Sequence, residues 1–166
     1  VSLNKDLNSK MNENYEMTQI NNPSKNKFVL KQTSFTNQPY TIKVNVENHS
    51  EYKLTYWIGR DLNYDGENDE VKIVDKNGND ILQDDELMEI VNHDYIKWNK
   101  IKSIFKTYND TLSINIGSSG PFKKGIRYFA DVQVRKYYSN LNDFEDITGL
   151  KSHILLFNRK LDISNG

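Results

Sequence analysis

Residues 52–80 read YKLTYWIGRDLNYDGENDEVKIVDKNGND, and how this stretch folds decides the rest of the chain. Tyr52, Leu54, Tyr56 and Ile58 recur at every second position, the period of a strand with one buried face. That period sets Trp57 on the opposite face with Lys53 and Thr55. An acidic loop follows, in which Asp61, Asn63, Asp65, Glu67 and Asp69 surround Gly66. Oxygens at that spacing, with Glu67 offering its backbone carbonyl, converge on one hard cation, so a Ca2+ site is expected here. The twelfth loop position holds Lys72 where a helix-loop-helix site needs a bidentate Glu, and strands flank the loop, so the expected site is of a strand-loop-strand kind. The alternative is a solvated acidic turn. A second strand at 71–74 then leads to Asn77-Gly78, a pair whose positions both accept positive φ and which closes hairpins.

Outward from this stretch the two-residue period repeats. Residues 15–20 and 28–33 read as short extended pieces. In 40–47 the side chains Tyr40, Ile42, Val44 and Val46 oppose Thr41, Lys43 and Asn45, and in 111–116 Leu112, Ile114 and Ile116 oppose Ser113 and Asn115. Residues 101–107 form another strand. The longest, 126–136, sets Tyr128, Ala130, Val132 and Val134 against Arg127, Phe129, Asp131, Gln133 and Arg135. The exception is 84–95, where Asp84 or Asp85 caps a run in which Leu87, Met88, Ile90 and Val91 repeat with a helical period. Many short strands with turns between them give an all-β class, an antiparallel sandwich with one short helix. Residues 1–13 read as a flexible lead-in, 14–136 as the sandwich, and 137–166 as an extension: an extra strand or the start of a following domain.

A chain of 166 residues suits one such domain. Lys and Arg number 22 against 23 Asp and Glu, a net charge of −1 spread evenly along the chain, so no single-sign field is present to hold nucleic acid or an anionic membrane. There is no cysteine, which excludes disulfides, thiolate zinc sites and cysteine nucleophiles. A mean hydropathy of −0.78 reflects Asn, Lys and Asp and points to a small core under wide polar faces. No apolar run approaches the ~20 residues of a membrane span. The sequence begins at Val1, and we expect a piece of an exported protein. His49, His93 and His153 lie far apart and read as surface or capping residues. Gly117-Ser118-Ser119-Gly120 precedes Pro121 and no helix, so it is a turn and no phosphate cradle, and no nucleophile elbow is present. Enzyme activity is not expected.

The order of the segments resembles the galactose-binding-like, jelly-roll carbohydrate-binding modules. The residues that carry the resemblance are Asn14-Tyr15-Glu16, the strand ending Tyr56-Trp57, Trp98 through Phe105-Lys106-Thr107, the strand at 111–116, and Tyr128-Phe129-Ala130-Asp131-Val132-Gln133-Val134. The resemblance implies a jelly-roll fold and a structural Ca2+ held by Glu16 and Asp131, clamping the first strand to the last. The other reading of Asp131 is an outward strand residue paired with Arg127 or Arg135. Modules of this kind occur as accessory or receptor-binding domains of secreted Gram-positive glycosidases and toxins. The implied function is a non-catalytic, calcium-stabilised module that recognises a glycan or a glycosylated cell-surface receptor, extracellular and joined to other domains of a parent protein.

A sugar needs a flat ring against its C–H face and polar groups at its hydroxyls. Trp57, facing outward, is the expected platform, with Lys43, Asn45 and Arg127 as polar help. Trp98 is a second candidate whose alternative is packing inside, and Tyr64 and Tyr108 stand in loops at the sandwich edge. The competing function is a structural spacer or protein–protein sandwich domain with both tryptophans buried and no sugar site.

Overall fold

The structure, a computed structural model, describes residues 14–67, 70–81 and 85–138. The lead-in over 1–13, Asp69, Asp84 and all of the extension beyond Tyr138 lie outside the described residues. Nine strands form two antiparallel sheets. The larger has the order β1 (Tyr15–Gln19), β2 (Phe28–Gln32), β9 (Arg127–Lys136), β4 (Glu51–Arg60), β7 (Ile96–Lys106), β6 (Asp85–His93). The smaller has β3 (Tyr40–Asn45), β8 (Thr111–Ile116), β5 (Lys72–Asp75). After β2 the chain passes between the two sheets, with β6 and β7 in succession in the larger one, giving the all-β antiparallel sandwich that the strand pattern predicts.

Between the sheets lies one core. Leu54, Tyr56 and Ile58 of β4, Phe105 of β7 and Val132 and Val134 of β9 pack against Ile42, Val44, Ile73, Leu112, Ile114 and Ile116. β3 alternates strictly, buried then exposed, because only one of its faces meets this core. In the turn after β5, Gly78 alone takes positive φ (85°) while the Asp75 carboxylate accepts the N–H groups of Asn77 and Asn79. Asn77 therefore does not use the left-handed conformation that the Asn-Gly pair suggested.

The segment expected to be a helix is a strand. β6 pairs with β7 along its whole length, with Met88 as the extra residue of a bulge between Leu87 and Glu89. The bulge is the physical reason for the misreading. It puts Leu87 (opposite Ile101) and Ile90 (opposite Asn99) on the same face three positions apart, which is helix spacing produced by an interrupted strand. As the outermost strand, β6 leaves Leu87, Met88 and Ile90 about half exposed. Glu86 pairs with Lys102 at 3.1 Å, while Glu89 stands opposite Lys100, whose ammonium lies 5.8 Å from the centre of the Trp57 ring.

A second bulge sets which side chains of β9 enter the core. Thr55 faces Gln133 while Trp57 faces Ala130, so that Tyr56 alone of β4 stands against Asp131 and Val132 of β9, and Asp131 takes a left-handed φ of 53° that Asp tolerates better than most residues. The parity of β9 reverses there. Val132 and Val134 face the core as expected, but Tyr128 and Ala130 turn outward and Phe129 and Arg127 turn inward. The outward residues join Val29, Trp57 and Trp98 in a second apolar cluster on the outer face of the large sheet, closed by Ile20 from the β1–β2 connection and by Val91, Ile96 and Ile126. Trp57 is thus on the predicted face but only 5% exposed, which corrects its reading as an open platform. Trp98 is wholly buried, and a Cβ on Gly59 would stand 2.8 Å from its ring.

Two outcomes test this packing. Trp57→Ala should cost about 3–5 kcal/mol in chemical unfolding, the usual loss for a buried Trp, whereas a surface Trp would cost little. The Asp85 carboxyl is pushed up to about 6, first by burial and then by Glu70 and Asp80. Its folded pKa lies above its unfolded one, so its contribution to stability is complete below about pH 4 and is lost as pH rises through 6. Asp85→Asn should therefore melt higher than the parent at pH 7 and lose that advantage at pH 4; a pH-independent difference would assign the effect to something other than titration.

Candidate binding cleft

Beyond β4 the chain runs along the end of the sandwich as the acidic loop, and it is fastened there to the segment 117–126. Asp61 N–H donates to Ile126 O, Asp65 N–H to Lys124 O, and the Asp65 carboxylate accepts the N–H groups of Lys123 and Lys124 at 2.8 and 3.0 Å. Those two donors hold the Asp65 carboxyl below its ordinary pKa. Gly125 (φ 92°) lies so close that a Cβ there would meet the Tyr64 backbone at 2.4 Å.

Behind both segments stands Arg127, fully buried. Its Nε donates to Gln32 Oε1 (2.6 Å), one terminal nitrogen to Tyr64 Oη (3.2 Å) and Gly120 O (2.9 Å), and the other to Gly117 O (2.8 Å). Gln32 Nε2 donates to the same Gly117 O at 2.9 Å. Phe122 lies under the guanidinium at 4.9 Å and beside Tyr64, ring to ring, at 5.1 Å. Arg127 is therefore a structural residue that fixes Tyr64 from within. This corrects its assignment as a polar contact beside Trp57.

Tyr64 forms one wall of a cleft of about 600 Å³ lined by Arg60, Asp61, Leu62 and Gly66 on one side and by Asn92, His93, Asp94, Tyr95 and Lys97 on the other. The second side is the β6–β7 hairpin. His93 pairs with Ile96, so the hairpin has a two-residue turn, and both turn residues take positive φ, 51° at Asp94 and 65° at Tyr95. Such a turn prefers Asn-Gly, and a tyrosine in it carries strain of the order of 1 kcal/mol. The strain is held in part by Asp94 Oδ2, which accepts the Asn21 amide at 3.3 Å and lies 3.8 Å from His93 Nε2. The result is a tyrosine ring 84% exposed at a fixed place, beside Leu62 at 79%.

Of the sequence-predicted binding residues, the cleft gathers Tyr64 alone. Trp57 and Trp98 are interior. Lys43 and Asn45 stand on the outer face of the small sheet, in a groove of about 590 Å³ with Asp75, Lys76, Thr111 and Ser113, and so do not meet Trp57. Tyr108 lies past the far end of β7, edge-on to His49 at 6.0 Å and beneath Lys106.

Of the predicted Ca2+ ligands, Asp61 caps Asn63 N–H, and Asp65 is engaged as above. Asn63 and Glu67 are exposed. Glu16 faces Lys31 on the outer side of β1, two strands from β9 and in the row of Tyr128. Asp131 sits three residues further along β9, its carboxylate accepting Asn26 (2.8 Å) and Gln133 (2.6 Å). The register therefore does not bring Glu16 to Asp131. No three His, Asp or Glu side chains gather into a metal set among the described residues, and Asp69 of the expected Ca2+ loop lies outside them.

Sequence reasoning missed Arg60, Leu62, Asn92, His93, Asp94, Tyr95 and Lys97. Reading 84–95 as a helix hid the hairpin, and Asp-Tyr carries no turn signature. A signal was nevertheless present: apolar positions resume with a two-residue period at Ile96 and Trp98, which implies a reversal just before them.

No family model matches the chain, and no curated protein matches it. A solved structure described as "CBM4 structure and function" aligns at a TM-score of 0.36 and 11% identity over 76% of this chain and 74% of that one, a likeness too loose to bear on function.

Replacing Arg127 tests its role in the frame. Arg127→Lys keeps the charge but cannot reach Gln32, Tyr64, Gly117 and Gly120 together. Buried acceptors left unpaired cost about 1–3 kcal/mol each, so a loss of about 3 kcal/mol or more in urea unfolding is expected. A loss below about 1 kcal/mol would remove Arg127 from the frame.

Proposed function

We propose that this domain is a non-catalytic module that binds a carbohydrate in the cleft between the acidic loop and the β6–β7 turn. The observation that carries the proposal is Tyr95: a ring almost wholly in water, held at a strained backbone position, with amide, imidazole, carboxylate and cationic groups around it. Strain retained at an exposed turn marks sites whose geometry serves a ligand. A flat ring over the C–H face of a pyranose, with Asn92, His93 and Asp94 within reach of its hydroxyls, is the chemistry of sugar recognition. Leu62 extends the apolar floor.

The burial of both tryptophans favours a second reading, the spacer or protein-binding sandwich. The two readings separate on a glycan array probed with the whole chain. Binding is expected, and Tyr95→Ala should weaken it at least tenfold, about 1.4 kcal/mol. Tyr108→Ala, roughly 35 Å away along β7, should leave it unchanged. An array without hits would leave the spacer reading standing, and binding that survives Tyr95→Ala would move the site elsewhere.

A further inference from the structure

β6 is the last strand of the larger sheet. It pairs with β7 on one side and, among the described residues, with no strand on the other. That outer edge offers a row of backbone N–H and C=O groups, the template on which a further strand forms. Among the described residues six large hydrophobic side chains are exposed, and three of them, Leu87, Met88 and Ile90, fall within four positions of β6. Apolar side chains gathered in this way mark an interaction surface, whereas single ones do not.

The register with β7 sorts β6 by face. Leu87 and Ile90 stand opposite Ile101 and Asn99, whose partners on β4 are the core residues Tyr56 and Ile58, so both lie on the inner face. Glu86 and Glu89 stand opposite Lys102 and Lys100, which face Thr55 and Trp57, so both lie on the outer face. The smaller sheet has three strands against six, and the inner face of β6 is left about half open. The other sheet edges differ. β3 and β5 carry Lys43 and Lys72, and on β1 Tyr15 is buried and Met17 half-buried.

Charge selects the strand that fits. Like charges facing each other across a strand pair are destabilising, so Glu86 and Glu89 disfavour an acidic strand and a second copy of β6 alike. Each is exposed, and the Glu86 carboxylate, already paired with Lys102, has room for a second donor. We infer that β6 is a docking edge for an extended segment of another protein chain, one that alternates basic with apolar residues. Its cations face Glu86 and Glu89, its apolar side chains cover Leu87 and Ile90, and its backbone extends the larger sheet. Main-chain bonds supply affinity in this mode and the alternate side chains supply specificity. The bulge keeps the alternation in step, because one residue of the incoming strand faces Leu87 and Met88 together, as Ile101 does from β7.

The test titrates the whole chain, followed by NMR, with a synthetic peptide that alternates Lys and Val over nine residues, the length of β6. Shifts centred on β6 are expected, with binding about tenfold or more tighter than that of a Glu and Val peptide of the same pattern, and weaker at about 300 mM salt. Leu87→Asn and Glu89→Lys should each weaken binding about tenfold, and Glu89→Lys should improve binding of the Glu and Val peptide. Both side chains are half or more exposed, so thermal melts should match the parent. N-methylation of alternate amides, which leaves charge and composition intact, should abolish binding. No binding at about 1 mM peptide, equal binding of the N-methylated peptide, or shifts away from β6 overturns the inference. Slow exchange, in the chain alone, of the β6 amides that point away from β7 also overturns it, because the edge would then be covered by a second copy or by residues 139–166.

Discussion

A single buried guanidinium fixes the end of the sandwich where the cleft opens. Placing Arg127 in the interior is costly, because a cation leaves water for a medium that solvates it poorly. The cost is met by four acceptors at hydrogen-bond distance and by two aromatic rings, Phe122 and Phe129, within 6 Å. Two of those acceptors are backbone carbonyls of a glycine-bearing segment with no strand partners of its own. Through them the segment 117–126 gains a fixed position, the acidic loop is fastened to that segment, and Tyr64 is held at both its hydroxyl and its ring. Remove the guanidinium and three elements lose their common anchor.

The bulge at Asp131 is what admits Arg127 to the interior. Without the extra residue, β9 would show Tyr128 and Ala130 to the core and Arg127 to solvent. With it, the strand is divided into a half that serves the shared core and a half that offers Tyr128 and Ala130 to the outer cluster. That cluster in turn buries Trp57 and Trp98, so the large sheet is covered on both faces at the end near the cleft. The platform under the β6–β7 turn is rigid because apolar packing lies on each side of it.

Much of the fold was legible because alternation is local. The strands β3, β4 and β8 each meet one core with one face, and their sequences say so. What was not legible depended on contacts between distant residues. The face of Trp57 followed from parity, but its burial depends on Ile20 and Val29, which no feature near Trp57 announces. The face of Arg127 was reversed by one left-handed residue four positions on. In β6 the extra residue Met88 gave an edge strand the spacing of a helix, and the turn bearing Tyr95 was lost with it. Local pattern thus found the scaffold, while the candidate site sits where local pattern is interrupted.

The outermost strand has a bearing on how copies of this protein behave in concentrated solution. From Asn77 to Tyr95 the sequence holds Asp80, Asp84, Asp85, Glu86, Glu89 and Asp94 and no Lys or Arg. A strand edge that also shows Leu87, Met88 and Ile90 would invite a second molecule to extend the sheet and then a third, the first steps of a fibril. Two such edges brought together would set acid against acid, and that repulsion along β6 opposes such extension.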